Sequence, residues 1–239
     1  MSAGEAVVLG LDTATPDVAV AACRAGEAVA ERRVPPEGGG TPRAATELLP
    51  AVEFVVGEAG GWGSVERIAV GIGPGSFTGL RIGVATARAL AQALALPLAP
   101  VGSLAVLARG LTGAERAEPR LAVFDARRGQ VFAALYDEAG AQVWEPFVAS
   151  PQELAARVAE LARAPLAGGD GSLRFRHELE DAGARIPPEG DEGHRISARH
   201  VCALGGEVDS SKPGEVEPVY LRPPDAELWR EQQRRVKGR

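Results

Sequence analysis

Two aspartates, each closing an apolar run, are the side chains whose type and position best suit chemistry. Asp12 follows Ala6-Val7-Val8-Leu9-Gly10-Leu11 and leads into Thr13-Ala14-Thr15; Asp125 follows Leu121-Ala122-Val123-Phe124 and leads into Ala126-Arg127-Arg128-Gly129. A carboxylate at the mouth of a buried strand, beside a hydroxyl-bearing turn, has the donor chemistry to hold a magnesium-bound nucleotide. An aspartate in such a place also caps its own turn without any ligand. Residue chemistry leaves both readings open. Arg127 and Arg128 could face an anion there, or simply solvate an exposed turn.

A second stretch invites the same question. Gly71-Ile72-Gly73-Pro74-Gly75-Ser76-Phe77-Thr78-Gly79-Leu80-Arg81 precedes a long helical pattern, and free N–H groups at a helix start favour an anion. The specific phosphate motifs fail. No Gly-Lys-Ser/Thr is present, and Gly71-x-Gly73-x-x-Ser76 lacks the third glycine of the dinucleotide fingerprint. Ser76 stands in no Gly-x-Ser-x-Gly elbow, which argues against a serine hydrolase. His177, His194 and His200 form no His-x-x-x-His pair, so each reads as a surface or loop histidine. Neither a metal site nor a catalytic residue is read. Without a phosphate motif, the glycines read as a tight turn and close helix packing.

Composition sets the frame for these residues. The 239 residues suffice for one large domain or two small ones, with 45% hydrophobic and 24% charged residues, as in ordinary globular proteins. A formal net charge of −6 does not suggest a free-standing nucleic-acid binder. Cys23 and Cys202 are far apart and in no motif; they read as unpaired buried thiols of a reducing compartment. No apolar run approaches membrane-spanning length and residues 1–9 lack the pattern of a leader, so a cytoplasmic location is expected.

The elements that must position the aspartates repeat. Alternation predicts strands at 6–12, 18–23 and 28–34, with Ala25-Gly26-Glu27 as a hairpin turn. A helix over 44–59 follows, which Pro50 should kink or restart. A strand at 68–72 then leads through the glycine turn, with Ser76 as N-cap, into a helix over 77–94. A short strand at 97–101 and a Ser103-capped helix to 109 follow before the pattern repeats. Strands at 121–125, 130–136 and 141–149, a helix at 151–163, a strand and glycine turn at 165–171 and a helix at 173–182 make up the repeat. The order β-β-β-α-β-α thus occurs twice, with an aspartate closing each first strand. The chain divides into a first subdomain at 1–100, a second at 101–224 and a charged tail at 225–239. A further short helix is read at 197–205.

The helix over 77–94 is apolar nearly all round. Its strongly polar side chains, Arg81, Arg88 and Gln92, form one narrow stripe, while Leu80, Val84, Ala87, Ala91 and Leu94 make an apolar face that Ile82, Ala85, Ala89 and Ala93 extend. Gly79, Gly83 and Ala87 form a row of small residues that another backbone could approach closely. Such a helix either lies under a second layer or buries its outer face against a partner.

Four blocks then carry a resemblance. Leu9-Gly10-Leu11-Asp12-Thr13-Ala14-Thr15, Gly73-Pro74-Gly75-Ser76-Phe77-Thr78-Gly79-Leu80-Arg81-Ile82-Gly83, Asp125-Ala126-Arg127-Arg128-Gly129-Gln130-Val131 and Glu217-Pro218-Val219-Tyr220-Leu221-Arg222 resemble, in that order, the TsaB (YeaZ) family. The Gly-Pro-Gly-Ser-Phe-Thr-Gly block is shared with the paralogue TsaD, whereas the last two blocks favour TsaB. The resemblance implies an α/β fold of duplicated βββαβα domains, the actin/Hsp70/sugar-kinase (ASKHA) type. It implies a non-catalytic scaffold or activator that dimerises with a TsaD-like catalytic subunit and supports threonylcarbamoylation of the adenosine beside the tRNA anticodon. A TsaE-like ATPase is the further implied partner, tRNA is met only through the complex, and a homodimer is open to the isolated chain. The absent His-x-x-x-His suits TsaB rather than TsaD. A histidine common in the family ahead of Leu48-Leu49-Pro50 is here Ala45.

Two sets of residues follow from that resemblance. The partner interface is expected on Leu80, Arg81, Val84, Ala87, Arg88 and Ala91 with Leu48 and Val52. A vestigial nucleotide site is expected at Asp12, Thr13, Thr15, Asp125 and Gly169, with no cofactor required and residual binding of ATP or ADP with magnesium left open at the complex interface. The rival reading is an ATP-binding kinase or carbamoyltransferase-type enzyme that uses Asp12 and Asp125. A third is direct tRNA binding by the basic tail at 230–239.

Overall fold

The computed structural model describes residues 6–38, 42–111 and 118–222. The charged tail expected at 225–239 lies outside them. Two sheets carry the repeat. β1 (Val7–Asp12), β2 (Val18–Arg24) and β3 (Glu27–Val34) form an antiparallel meander, and β4 (Val65–Gly71) and β5 (Leu98–Val101) add in parallel beside β1, giving the order β3-β2-β1-β4-β5. In the second sheet β6 (Arg120–Arg127), β7 (Gln130–Tyr136) and β8 (Gln142–Ala149) repeat the meander. β9 (Leu166–Gly168) pairs with β6 in parallel, giving β8-β7-β6-β9. The β2–β3 turn falls as the sequence predicts. Ala25 and Gly26 both have positive φ, 51° and 84°, as a two-residue hairpin loop with native twist requires.

Three helical layers flank these two sheets. α1 (Ala44–Glu58) and α2 (Phe77–Leu94) cover the outer face of the first sheet, where Leu48, Val52 and Val55 meet Leu9, Val20 and Ile68. α3 (Ser103–Gly110) and α7 (Ala198–Glu207) lie in a cluster that takes residues from both sheets, among them Ala21 and Ala69 of the first and Phe124 and Ala134 of the second. α4 (Pro151–Ala159), α5 (Asp170–Arg174) and α6 (Arg176–Asp181) follow β8 and β9, and Leu154 and Leu179 pack on the far face of the second sheet. No helix among the described residues is long and apolar enough to cross a membrane.

Four boundaries differ from the sequence reading. α1 runs through Pro50 without a restart. Pro50 faces solvent, and the turns around it are held down by buried Leu48, Ala51 and Val52, so packing outweighs the lost backbone bond. The helix expected over 151–163 ends at Ala159, four residues early. The helix expected over 173–182 is two short helices, broken at Phe175 (φ −115°, ψ 36°). Ser103 caps nothing: Gly102 is the N-cap of α3, and the Ser103 hydroxyl turns to Asp12 instead.

Candidate functional site at the cleft between the sheets

Where the two halves of the repeat face each other, a cleft of about 220 Å³ opens. The β1–β2 turn (Ala14, Thr15), the start of α2 (Gly75, Ser76, Phe77), the end of β6 (Asp125, Arg127) and Tyr220 contribute to its walls. The two strand-end aspartates sit at equivalent places. Asp12 Oδ1 accepts from Ala14 N at 2.7 Å, and Asp125 Oδ1 accepts from Arg127 N at 2.8 Å. Each therefore closes an Asx turn two residues on.

Beyond that turn the two diverge. Asp12 is 1% exposed and lies beneath the cleft, outside its walls. Ser103 Oγ donates to Asp12 Oδ2 at 2.6 Å and accepts from Gly73 N at 3.1 Å. The carboxylate thus ties the end of β1 to the start of α3 and to the glycine turn. Burial pushes its pKa up to about 6, against the opposing hydrogen bonds from Ser103 and Ala14. Thr13, equally buried, donates from Oγ1 to Gly79 O at 2.8 Å and fastens the same turn to α2.

Asp125 does reach the cleft, but in company. Arg174 Nη1 stands 2.7 Å and Arg127 Nη1 3.5 Å from its Oδ2. Asp170, whose carboxyl burial holds above the usual carboxylate range, accepts from Asp125 N at 2.9 Å. Of the five residues expected at a nucleotide site, only Thr15 and Asp125 line the cleft. Gly169 is a turn residue at φ 108°; its N–H donates to His194 Nδ1 at 3.3 Å. His194 itself corrects the sequence reading. It is 6% exposed, and Nε2 donates to Pro187 O at 3.0 Å because Nδ1 is the acceptor.

These residues do not fit a magnesium nucleotide held by both aspartates. Both oxygens of Asp12 are engaged within the chain and shut away from the cleft, while Asp125 is already paired with arginine. Ser103 and Arg174, which do that engaging, escape sequence reasoning in this role, as does Asp170, which accepts from the Asp125 backbone N–H. The signal for Asp170 was its place in the Gly168-Gly169-Asp170-Gly171 turn; Ser103 signalled only a helix cap, and Arg174 nothing beyond residue type.

At the cleft mouth a cluster links the 217–222 block to α2. The rings of Phe77 and Tyr220 lie 4.9 Å apart, Arg81 stacks over Phe77 at 3.8 Å, and Arg81 Nε donates to Tyr220 Oη at 3.3 Å. Val219 N donates to Ile72 O at 2.7 Å, which fixes the segment across the glycine turn.

The residues expected at a partner interface separate into two groups. Leu80, Val84, Ala87 and Ala91 of α2, with Leu48 and Val52 of α1, are each at most 2% exposed. They are the chain's own core, so their place in an exposed interface is corrected: the sheet occupies the face they form. Arg81 is exposed and Arg88 half-buried, and beside them Ala85, Ala89 and Gln92 form the outward stripe of α2. On α1, Leu49 and Phe54 are 52% and 46% exposed.

Comparison with known proteins agrees with this architecture. Residues 26–176 match the family model of TsaD, tRNA N6-adenosine threonylcarbamoyltransferase. The chain is 32% identical to the tRNA threonylcarbamoyladenosine biosynthesis protein TsaB of Escherichia coli over 227 residues, 90% of this chain and 94% of that protein. It is 32% identical to the TsaB of Bacillus subtilis over 71% of this chain and 76% of that protein. Among solved structures, YeaZ from Pseudomonas aeruginosa superposes with a TM-score of 0.74 at 28% identity, covering 90% of this chain and all of that one. The fold is the duplicated βββαβα type that the resemblance implies.

Proposed function

The chain belongs to the TsaB (YeaZ) family, and from that premise we propose that it is a non-catalytic subunit in the making of threonylcarbamoyladenosine on tRNA. It pairs with a TsaD-type catalytic subunit, which holds the chemistry, and helps to engage a TsaE-type ATPase. Transfer RNA is met through the complex. One observation carries the reading: both strand-end aspartates are engaged by the chain itself, in a sequence without His-x-x-x-His. The pairing surface is the outward stripe of α2, Arg81, Ala85, Ala89 and Gln92, continued by Leu49 of α1. Small alanines flanked by polar side chains suit close packing of a partner helix. The isolated chain can pair with its own copy through the same stripe.

Two variants separate this surface from the core. Ala89→Glu places a charge on the exposed stripe, so folding is unaffected within a few tenths of a kcal/mol while co-purification with the TsaD-type subunit drops at least about tenfold. Val84→Arg buries a charge under the sheet, and the chain itself unfolds or loses several kcal/mol. Normal pairing by Ala89→Glu would displace the interface. Failure of the wild-type chain to pair with TsaD or to stimulate tRNA modification in a reconstituted assay would sink the proposal. Calorimetry with ATP and magnesium tests the rival enzyme: micromolar binding by the isolated chain, lost in Asp12→Ala, would favour it.

A further inference from the structure

Cys23 and Cys202, read from the sequence as separate buried thiols, meet in the layer between the sheets. β2 places Cys23 opposite Val8 of β1 and Ala21 opposite Gly10. Ala21 and Cys23, two apart on a strand, present their side chains to one face. From α7 the Cys202 Sγ reaches that face, 3.3 Å from Val8 O and 3.5 Å from Ala21 O. Gly10 allows this approach, since a Cβ there would lie 2.7 Å from Cys202 Sγ and 2.9 Å from Cys202 N. Cys202 Sγ thus lies against the stretch of β1 and β2 that carries Cys23; both thiols are free, and the chain has no third cysteine. Both cysteines belong to one buried cluster, whose small residues include Ala19, Ala21, Ala69 and Ala99.

We propose that Cys23 and Cys202 form a reversible intramolecular disulfide when the chain meets a hydroperoxide, stapling α7 to β2. The Cys23 sulfur attacks one peroxide oxygen and the O–O bond breaks. Cys23 becomes a sulfenic acid, and the released hydroxide takes up the thiol proton as water. The Cys202 sulfur then attacks the Cys23 sulfur and displaces hydroxide, which leaves as water with the Cys202 proton. Two thiols lose two hydrogens and one hydrogen peroxide is reduced to two waters. The order is set by the neighbouring thiol and by burial: Cys202 nearby holds the Cys23 thiol below its ordinary range, whereas Cys23 and burial push Cys202 well up. Cys23 therefore carries more thiolate, and Cys202 resolves it. The bond closes a loop that spans both halves of the repeat, which restricts the unfolded chain.

The test uses the full chain, reduced and freed of reductant, then treated with hydrogen peroxide under native conditions. Peptide mapping without reductant is expected to give a Cys23–Cys202 linked peptide two hydrogens lighter than its parts. A Tm rise on the order of 5 °C should follow, reversed by dithiothreitol. Cys202→Ser should leave a Cys23 sulfenic acid that a dimedone probe traps, and Cys23→Ser should give no such adduct on Cys202. Two free thiols after unfolding of the treated chain, or only sulfinic, sulfonic or intermolecular products, would overturn the proposal. The wild-type map decides this even if a variant does not fold.

Discussion

Asp12 reads in sequence either as a nucleotide ligand or as a turn cap, and in space its burial and its bonds to Ala14 and Ser103 give it the second role. The apolar run ending in aspartate was legible, and so was the turn that follows. What decides the role is Ser103, 91 positions away, a tertiary contact that no local pattern encodes. Because the carboxyl is buried, its folded-state pKa of about 6 lies above the ordinary aspartate value of 3.8. A raised pKa means that the folded chain holds the proton more tightly. The stability that this gives is complete below 3.8 and is lost as pH rises through 6. Two pKa units correspond to about 3 kcal/mol. Asp12→Asn cannot ionise, so its stability relative to wild type should rise by about 2–3 kcal/mol between about pH 4 and about pH 7. Urea unfolding of both chains across that range checks it; parallel curves would mean that Asp12 is solvated after all.

At the scale of one element, α2 shows why half of its role was hidden. Its length, its Ser76 cap and its apolar character were all readable, and Ser76 Oγ does accept from Gly79 N at 3.2 Å. A helix apolar nearly all round does not say which side faces home. The row of Gly79 and Gly83 suggested an approaching backbone, and one is there, but it is the chain's own Thr13. A Cβ on Gly83 would strike Thr13 Oγ1, the atom that bonds Gly79 O. Gly83→Ala gains about 1 kcal/mol of helix propensity yet should destabilise by a net 1–3 kcal/mol or so, because the core must shift. In a Thr13→Ala background, with Oγ1 gone, the nearest remaining Thr13 side-chain atom is Cβ at 3.4 Å. There the same change should be close to neutral or stabilising. Equal losses in both backgrounds, measured as a double-mutant cycle, would show that Thr13 is not what the glycine accommodates.

For the whole molecule, the repeat was legible from two aspartate-ended strands, but the layer that joins the halves was not. By sequence both α3 and α7 fall within the second subdomain, α7 only as a further short helix. In space they share a core with β2, β4 and β5 on one side and β6 and β7 on the other. α7 comes late in the chain and nevertheless seats on the first sheet, where Gly205 meets Ala69 and Arg67 Nη1 donates to Gly205 O at 2.7 Å. Its start is held by Glu31 of β3, whose Oε1 accepts from Ser197 Oγ and Ala198 N at 2.7 Å each. Nearby, Arg33 of β3 forks onto Glu192 of the segment leading to α7. Removing either half would strip the middle layer and expose the alanine and leucine faces that meet there. The halves should therefore unfold together, although each carries its own sheet. Scanning calorimetry on the full chain is expected to show one transition, with calorimetric and van't Hoff enthalpies agreeing. Two resolved transitions would mean that each sheet keeps a core of its own without α3 and α7 between them.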